Sequence, residues 1–307
     1  MFFRRLKKLL LFVLFTVCTI PFFVSPAVSV EITDDLGQKI SLQQPAHRII
    51  PLYGAFAEML FSIGAGDFVV ARTQADNYPP RLTDLPSVGT HMRPNVEMIM
   101  GLKPDLVIQS ATRRDETPEI SRLSDSGIPV AVFAPRNFPE IFSVIERLGV
   151  LTGHSSEASV FVETLRSRLA AVRDKLAGVE TKPKVFFEIR AEPLTGAGYG
   201  SIVQEILNAV AAENALKNDK AIVQYNIEAL LVQNPDFYIV QEGPMNRNPM
   251  PPAKRPHFDR LKCVQEGRVL TADEFIFSRP GPRCVDAVEQ LAAVLYPDRF
   301  PKGNKNQ

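Results

Sequence analysis

Along residues 30–42 apolar and polar positions alternate on either side of Asp35-Leu36-Gly37, which predicts a β-hairpin. Short apolar runs follow at 48–52, 68–71, 105–108 and 130–133. Helical patterns separate them, at 55–63, 96–102, 118–126 and 139–148. A second series has strands near 185–189, 237–240 and 269–270, with helices near 202–212, 227–232 and 285–295. Short strands that alternate with helices predict an α/β fold, a mainly parallel sheet with helices on its faces. Here the pattern occurs twice, so two Rossmann-like lobes are expected.

Between the two series the apolar residues of SSEASVFVETLRSRLAAVRDKLAG fall at Ala158, Phe161, Leu165, Leu169, Val172 and Leu176. A spacing of three and four is helical. Ser155 is a good N-cap and Gly178 a good stop. At 1.5 Å per residue such a helix spans roughly 30 Å, enough to bridge two lobes as a stiff strut. The expected organisation is a leader at 1–29, an N-terminal lobe at 30–153, a bridging helix at 154–178 and a C-terminal lobe at 179–307.

The leader is read from its charge and length. Arg4, Arg5, Lys7 and Lys8 precede an uncharged, mostly apolar run at 9–24, shorter than a spanning helix wants. Ala27-Val28-Ser29 then supplies small residues for cleavage, so a secretory signal is expected, with a retained membrane anchor as the alternative. Cys18 follows Val17, where a lipoprotein signal wants a small residue. Loss of four basic and no acidic residues takes the net charge from +1 to about −3, which argues against nucleic acid as a partner. Two cysteines, Cys263 and Cys284, remain in a chain bound for an oxidising compartment, and a disulfide between them is expected over two buried thiols.

One stretch is said twice. NVEMIMGLKPDLVI begins at Asn95 and NIEALLVQNPDFYI at Asn226, and without gaps Asn95, Glu97, Pro104, Asp105 and Ile108 fall on Asn226, Glu228, Pro235, Asp236 and Ile239. Each Asn stands where it can cap a helix, and each Glu sits in the first turn, where the helix dipole favours a negative charge. A single copy is no more than a good helix start. A matched pair of exposed carboxylates, one per lobe, suits a partner with two matched cationic sites.

TDDLGQKISLQQPAHRIIPL and NYPPRLTDLPSVGTHMRPNVEMIMGLKPDLVI resemble the N-terminal lobe of helical-backbone periplasmic binding proteins. These serve ABC importers of vitamin B12, ferric siderophores and haem. FDRLKCVQEGRVLTAD and SRPGPRCVDAVEQLA are similar to the C-terminal lobe of the same family. The resemblance covers nearly the whole chain after the leader. It implies a receptor, monomeric when free, with ligand in the cleft between two lobes. It also implies a glutamate on each lobe that meets arginines of a homodimeric permease, at the positions of Glu97 and Glu228.

Ligand residues are expected on loops at the carboxyl ends of strands. That selects Tyr53, His91, Arg93 and Arg113 from the first lobe, and Arg190, Tyr199, Phe277 and Arg279 from the second. Arginine forks suit carboxylate, phosphate or catecholate oxygens, so an anionic ferric siderophore is the expected ligand. Cobalamin is an alternative: the family's vitamin B12 receptor lines its cleft with tryptophans, and this chain has none. Haem is another, with Tyr53 or His91 as axial ligand, either imported or held by a secreted storage or sensing protein without a transporter. Four histidines are too few and too scattered for a bare metal site, so no intrinsic cofactor is expected. An enzyme is not expected either. TGAGYGS does not meet G-x-G-x-x-G, and no G-x-S-x-G, H-E-x-x-H or G-K-[ST] occurs.

Overall fold

The computed structural model describes residues 29–111 and 118–301; the expected leader and Arg113 therefore lie outside the described residues, apart from Ser29. The N-terminal lobe opens with the hairpin β1 (Val30–Thr33) and β2 (Lys39–Leu42), antiparallel with Ile32 opposite Ile40. It continues through β3 (Ile49–Pro51), α1 (Gly54–Ser62), the short β4 (Gly89–Thr90) and β5 (Arg93–Pro94), and α2 (Val96–Gly101). Next come β6 (Leu106–Ser110), α3 (Pro118–Asp125), β7 (Val130–Phe133) and α4 (Phe138–Thr152). β3, β6 and β7 form a parallel sheet in that order. The strand predicted at 68–71 reduces to one bridge, Ile49 to Val69, because Gly66–Phe68 is a 3-10 turn that leaves little extended chain before it peels away.

α5 (Ser155–Lys175) is the long bridging helix. Ser155 is its first helical residue and His154 occupies the cap, with Nδ1 2.9 Å from the Thr152 carbonyl oxygen. The predicted serine cap is thus displaced by one residue. Ala158, Val162, Leu165 and Val172 face inward, and the helix packs on α4 at one end. The C-terminal lobe follows as β8 (Lys184–Arg190), β9 (Thr195–Ala197), α6 (Ile202–Ala209), β10 (Glu213–Asn214), β11 (Ile222–Gln224) and α7 (Ile227–Gln233). It ends with β12 (Phe237–Glu242), α8 (Lys262–Gln265), β13 (Val269–Asp273), α9 (Glu274–Phe277) and α10 (Cys284–Leu295). Its sheet runs β11-β9-β8-β12-β13, with β8, β12 and β13 parallel, β9 antiparallel to both of its neighbours, and β10 pairing parallel with β8 off this path.

α5 also packs on α6 and α10, and Arg168 locks it there with bonds of 2.6 Å to Asp286 and 2.6 and 2.9 Å to Glu289. One apolar cluster runs from Phe56 and Ile145 of the first lobe through Leu165 to Val285 of the second. The lobes are joined through packed core as well as through chain.

Two expectations are corrected by the core. Cys263 and Cys284 are both free and buried, and they sit in different apolar clusters. Burial pushes both thiols up, to about 11 and about 12 respectively, as it disfavours thiolate. Phe277 is 1% exposed and stacks on Phe187 with ring centres 6.1 Å apart. It closes the last turn of a four-residue helix onto the sheet, so it is a core residue and not part of an open cleft wall.

Candidate functional site

The carboxyl ends of β3, β6 and β7 lead to Tyr53, to Ser110-Ala111 and to Ala134-Pro135, and these residues line a cavity of about 140 Å3 with Arg136 and Pro280. Pro280 belongs to the other lobe, so the cavity lies at the lobe junction. Tyr53 reaches it as the residue before α1, in extended backbone, with its ring 5.9 Å from that of His91. Burial pushes the Tyr53 hydroxyl far up, so it stays protonated at neutral pH. Burial, and then the charge of Arg279, hold His91 below its usual value, so its imidazole is neutral there.

Arg279 crosses the junction. Its Nη1 donates to Asp76 Oδ1 at 3.2 Å, while its guanidinium stands 4.1 Å from the Phe275 ring centre and 5.6 Å from that of Tyr53. Asp76 is itself held by Thr73, whose hydroxyl donates at 2.6 Å and whose N–H donates at 3.2 Å. A second pair lies alongside. Arg283 Nε donates to Glu58 Oε2 at 2.8 Å, Arg283 Nη2 donates to Glu58 Oε1, and the guanidinium covers Tyr78 at 4.3 Å. Glu58 and Asp76 are nearly inaccessible, at 4% and 3%, so neither carboxylate could stay buried without its arginine. Burial raises Glu58 above the ordinary carboxylate range, against the pull of Arg283. Gly54 permits this approach: a Cβ there would lie 2.4 Å from Asp76 Oδ1 and 2.6 Å from Arg279 Nη1.

Of the other selected residues, Arg93 is exposed on β5 and Arg190 exposed at the end of β8. Tyr199 is 40% exposed in the turn before α6. Tyr53, His91 and Arg279 are thus brought together; Arg190 belongs to a separate cavity in the C-terminal lobe. Asp76, Glu58 and Arg136 were not selected from sequence. A signal for Glu58 existed, since one charge in the apolar helix GAFAEMLFS implies a buried partner. Nothing in TQADNYPP marks Asp76. Among the described residues no group of three or more His, Cys, Asp or Glu side chains could hold a metal ion.

The repeated glutamates stand elsewhere, at the starts of α2 and α7. Glu97 and Glu228 are both exposed, each in the first turn of a helix capped by its asparagine. Glu97 pairs with Arg122 at 2.7 Å, and that hydrogen bond holds its carboxyl below the usual range.

Comparison with known proteins agrees with this architecture. Residues 49–274 match the periplasmic binding protein family. An ABC transporter substrate-binding lipoprotein of Bacillus subtilis, uncharacterized, is 30% identical over 88% of this chain and 87% of its own. A vitamin B12-binding protein of Vibrio cholerae is 28% identical over 82% of this chain and 90% of its own. The periplasmic haem-binding protein RhuT from Roseiflexus sp. RS-1, solved in apo form, superposes with a TM-score of 0.72 over 83% of this chain and 99% of its own, at 23% identity.

Proposed function

The chain belongs to the periplasmic binding protein family, as a substrate-binding protein of an ABC transporter, and from that premise we propose that its ligand is a corrinoid held between the lobes. The observation that carries this reading is charge compensation at the junction. Arg279 is matched by Asp76 and Arg283 by Glu58. A multiply anionic chelate needs free guanidinium forks; the Arg283 fork is engaged by Glu58, and the Arg279 charge is balanced by Asp76 through one bond. Beside them stand aromatic and neutral groups, Tyr53 protonated, His91 uncharged and Phe275 against the Arg279 stack, with Arg136 the one unpaired charge on the cavity wall among the described residues. Such faces suit a flat macrocycle, and a neutral imidazole suits the open axial position of a metal centre. The relative that binds vitamin B12 supports the same class.

A ferric siderophore is the second reading. Arg136 on the cavity wall and Arg93 are exposed and have no ion pair among the described residues, and both would serve an anion. In either case the receptor works in the periplasm behind a cleaved leader, catalyses nothing, and delivers its ligand to a permease dimer through Glu97 and Glu228.

Spectral titration of the mature protein with cyanocobalamin, haemin and ferric siderophores in parallel tests the ligand. We expect saturable binding of cyanocobalamin, weakened about tenfold, ~1.4 kcal/mol, by Tyr53→Ala. Saturation by a ferric siderophore with no response to cobalamin would overturn the corrinoid reading.

A further inference from the structure

The C-terminal lobe holds a cavity of about 660 Å3 whose lining includes no residue of the N-terminal lobe. Its outer wall is the Pro-rich segment 246–256, and that segment is fastened at both ends to one carboxylate. Asn246 Nδ2 donates to Glu188 Oε1 at 3.2 Å and to the Gln241 carbonyl at 2.7 Å, while its Oδ1 accepts from Ala191 N–H at 3.1 Å. Arg255 donates to Glu188 through both Nη atoms, at 3.0 Å for Nη2, and its Nε donates to the Met250 carbonyl at 2.6 Å. Tyr238 adds its hydroxyl to the same carboxylate. Glu188 is fully buried, so each of these bonds satisfies a charge that water cannot reach. The segment is therefore built in place, and residues 247–250 stand as a fixed wall.

Its lining combines apolar and polar surface; Ile227, Phe258, Met245 and Met250 supply the apolar part, and the two methionines stay 43% and 55% exposed. Arg190 and Arg247 stand exposed on the rim and Glu192 shares it. The Arg255 charge is spent on Glu188. Two arginines against one glutamate favour an occupant with a single negative charge and an apolar body. A volume of this size is that of a small-molecule site, whereas the 140 Å3 at the lobe junction admits only part of a metal chelate.

The cavity also lies beside the junction. β8, β12 and β13 are parallel, so their carboxyl ends share one edge of the sheet. β8 ends at Arg190, β12 leads to Met245, and β13 leads through Glu274 to Phe275 and Arg279. Met245 N–H donates to Glu274 Oε2 at 2.7 Å, which joins the cavity floor to the residue preceding Phe275.

We propose that this cavity seats the arm of a bipartite ligand, an apolar heterocycle carried on a singly charged phosphodiester, while the macrocycle lies against Tyr53 and His91. The arm is the nucleotide loop of a complete corrinoid, and the inference rests on the corrinoid reading above. Arg190 and Arg247 take the phosphodiester; Met245, Met250 and Phe258 take the heterocycle.

The test compares cyanocobalamin, which has the arm, with dicyanocobinamide, which lacks it, by titration of the mature protein. Wild type is expected to prefer cobalamin by about tenfold or more. Arg190→Ala with Arg247→Ala should bring the two affinities within roughly threefold by weakening cobalamin alone. Met250→Trp, at an exposed position, should fill the cavity and act in the same direction without altering the thermal midpoint. Equal wild-type affinities, or a preference that survives both variants, would overturn the seat while leaving the corrinoid reading intact. Binding of neither corrinoid overturns both.

Discussion

In the first copy of the repeated stretch Asn95 Oδ1 accepts from Met98 N–H at 3.0 Å, and in the second Asn226 Oδ1 accepts from Ala229 N–H at 2.7 Å. The likeness continues through the next strand. Lys103 and Asn234, at matched positions, both take left-handed backbone, φ 50° and 42°, and a proline follows each. Asp105 then accepts from the N–H groups of His47 and Arg48 at 2.8 and 2.9 Å, and Asp236 accepts from that of Lys184 at 2.8 Å. Arg48 donates to the Leu102 and Lys103 carbonyls at the end of α2, as Lys184 does to that of Gln233 at the end of α7. The glutamates part company. Glu97 is engaged by Arg122 of α3, whereas Glu228 has no ion pair among the described residues. Shared cap and turn residues yield a similar course of backbone, and the neighbouring helix decides whether the carboxylate is already occupied.

Charge reversal at both copies is the severest way to break this symmetry. Glu97→Arg with Glu228→Arg should reduce transport supported by the protein to background while ligand titrations and the thermal midpoint stay near wild type, since both side chains are exposed. Full transport by the double variant would make the glutamates helix starts and nothing more.

The caps offer a milder comparison. Asn95→Ala and Asn226→Ala each remove one bond to a helix N–H and should cost ~1 kcal/mol. Denaturant unfolding should find the two losses similar; a clear inequality would show that the copies are alike in sequence more than in energy.

The smallest effect sharpens the difference between the glutamates. Arg122 holds the folded Glu97 carboxyl below its unfolded value, so this pair stabilises the fold above the ordinary carboxylate range and the contribution fades as pH falls through the folded value. Arg122→Ala should raise the Glu97 titration midpoint observed by NMR and remove that pH dependence. An unmoved midpoint would mean that the ion pair does not persist in solution, as is common for exposed pairs.

The elements were legible because their causes are local. Alternation about Leu36, helical spacing from Ala158 to Val172, and prolines after two helices each act within a few residues. The candidate site was legible only in part. Tyr53, His91 and Arg279, which meet at the lobe junction, are selected by their places after strands, a rule about chain ends. Phe277 obeyed the same rule and proved to be core, since a four-residue helix turns it back against Phe187. The expected disulfide failed for a comparable reason: both cysteines lie in helices, and those helices pack into different apolar clusters.

The amino-acid sequence by itself determined the two α/β lobes, the bridging helix and the paired asparagine-capped glutamates, because hydrophobic period, capping and turn chemistry operate over a few residues of chain. Which charges remain free was decided only by the tertiary structure. Asp76 and Arg279 are separated by 203 residues, Glu58 and Arg283 by 225, and Glu188 and Arg255 by 67. No local pattern records such partners. A buried arginine reads as an anion site in one dimension and as half of a neutral pair in three, because burial makes an unmatched charge too costly to keep.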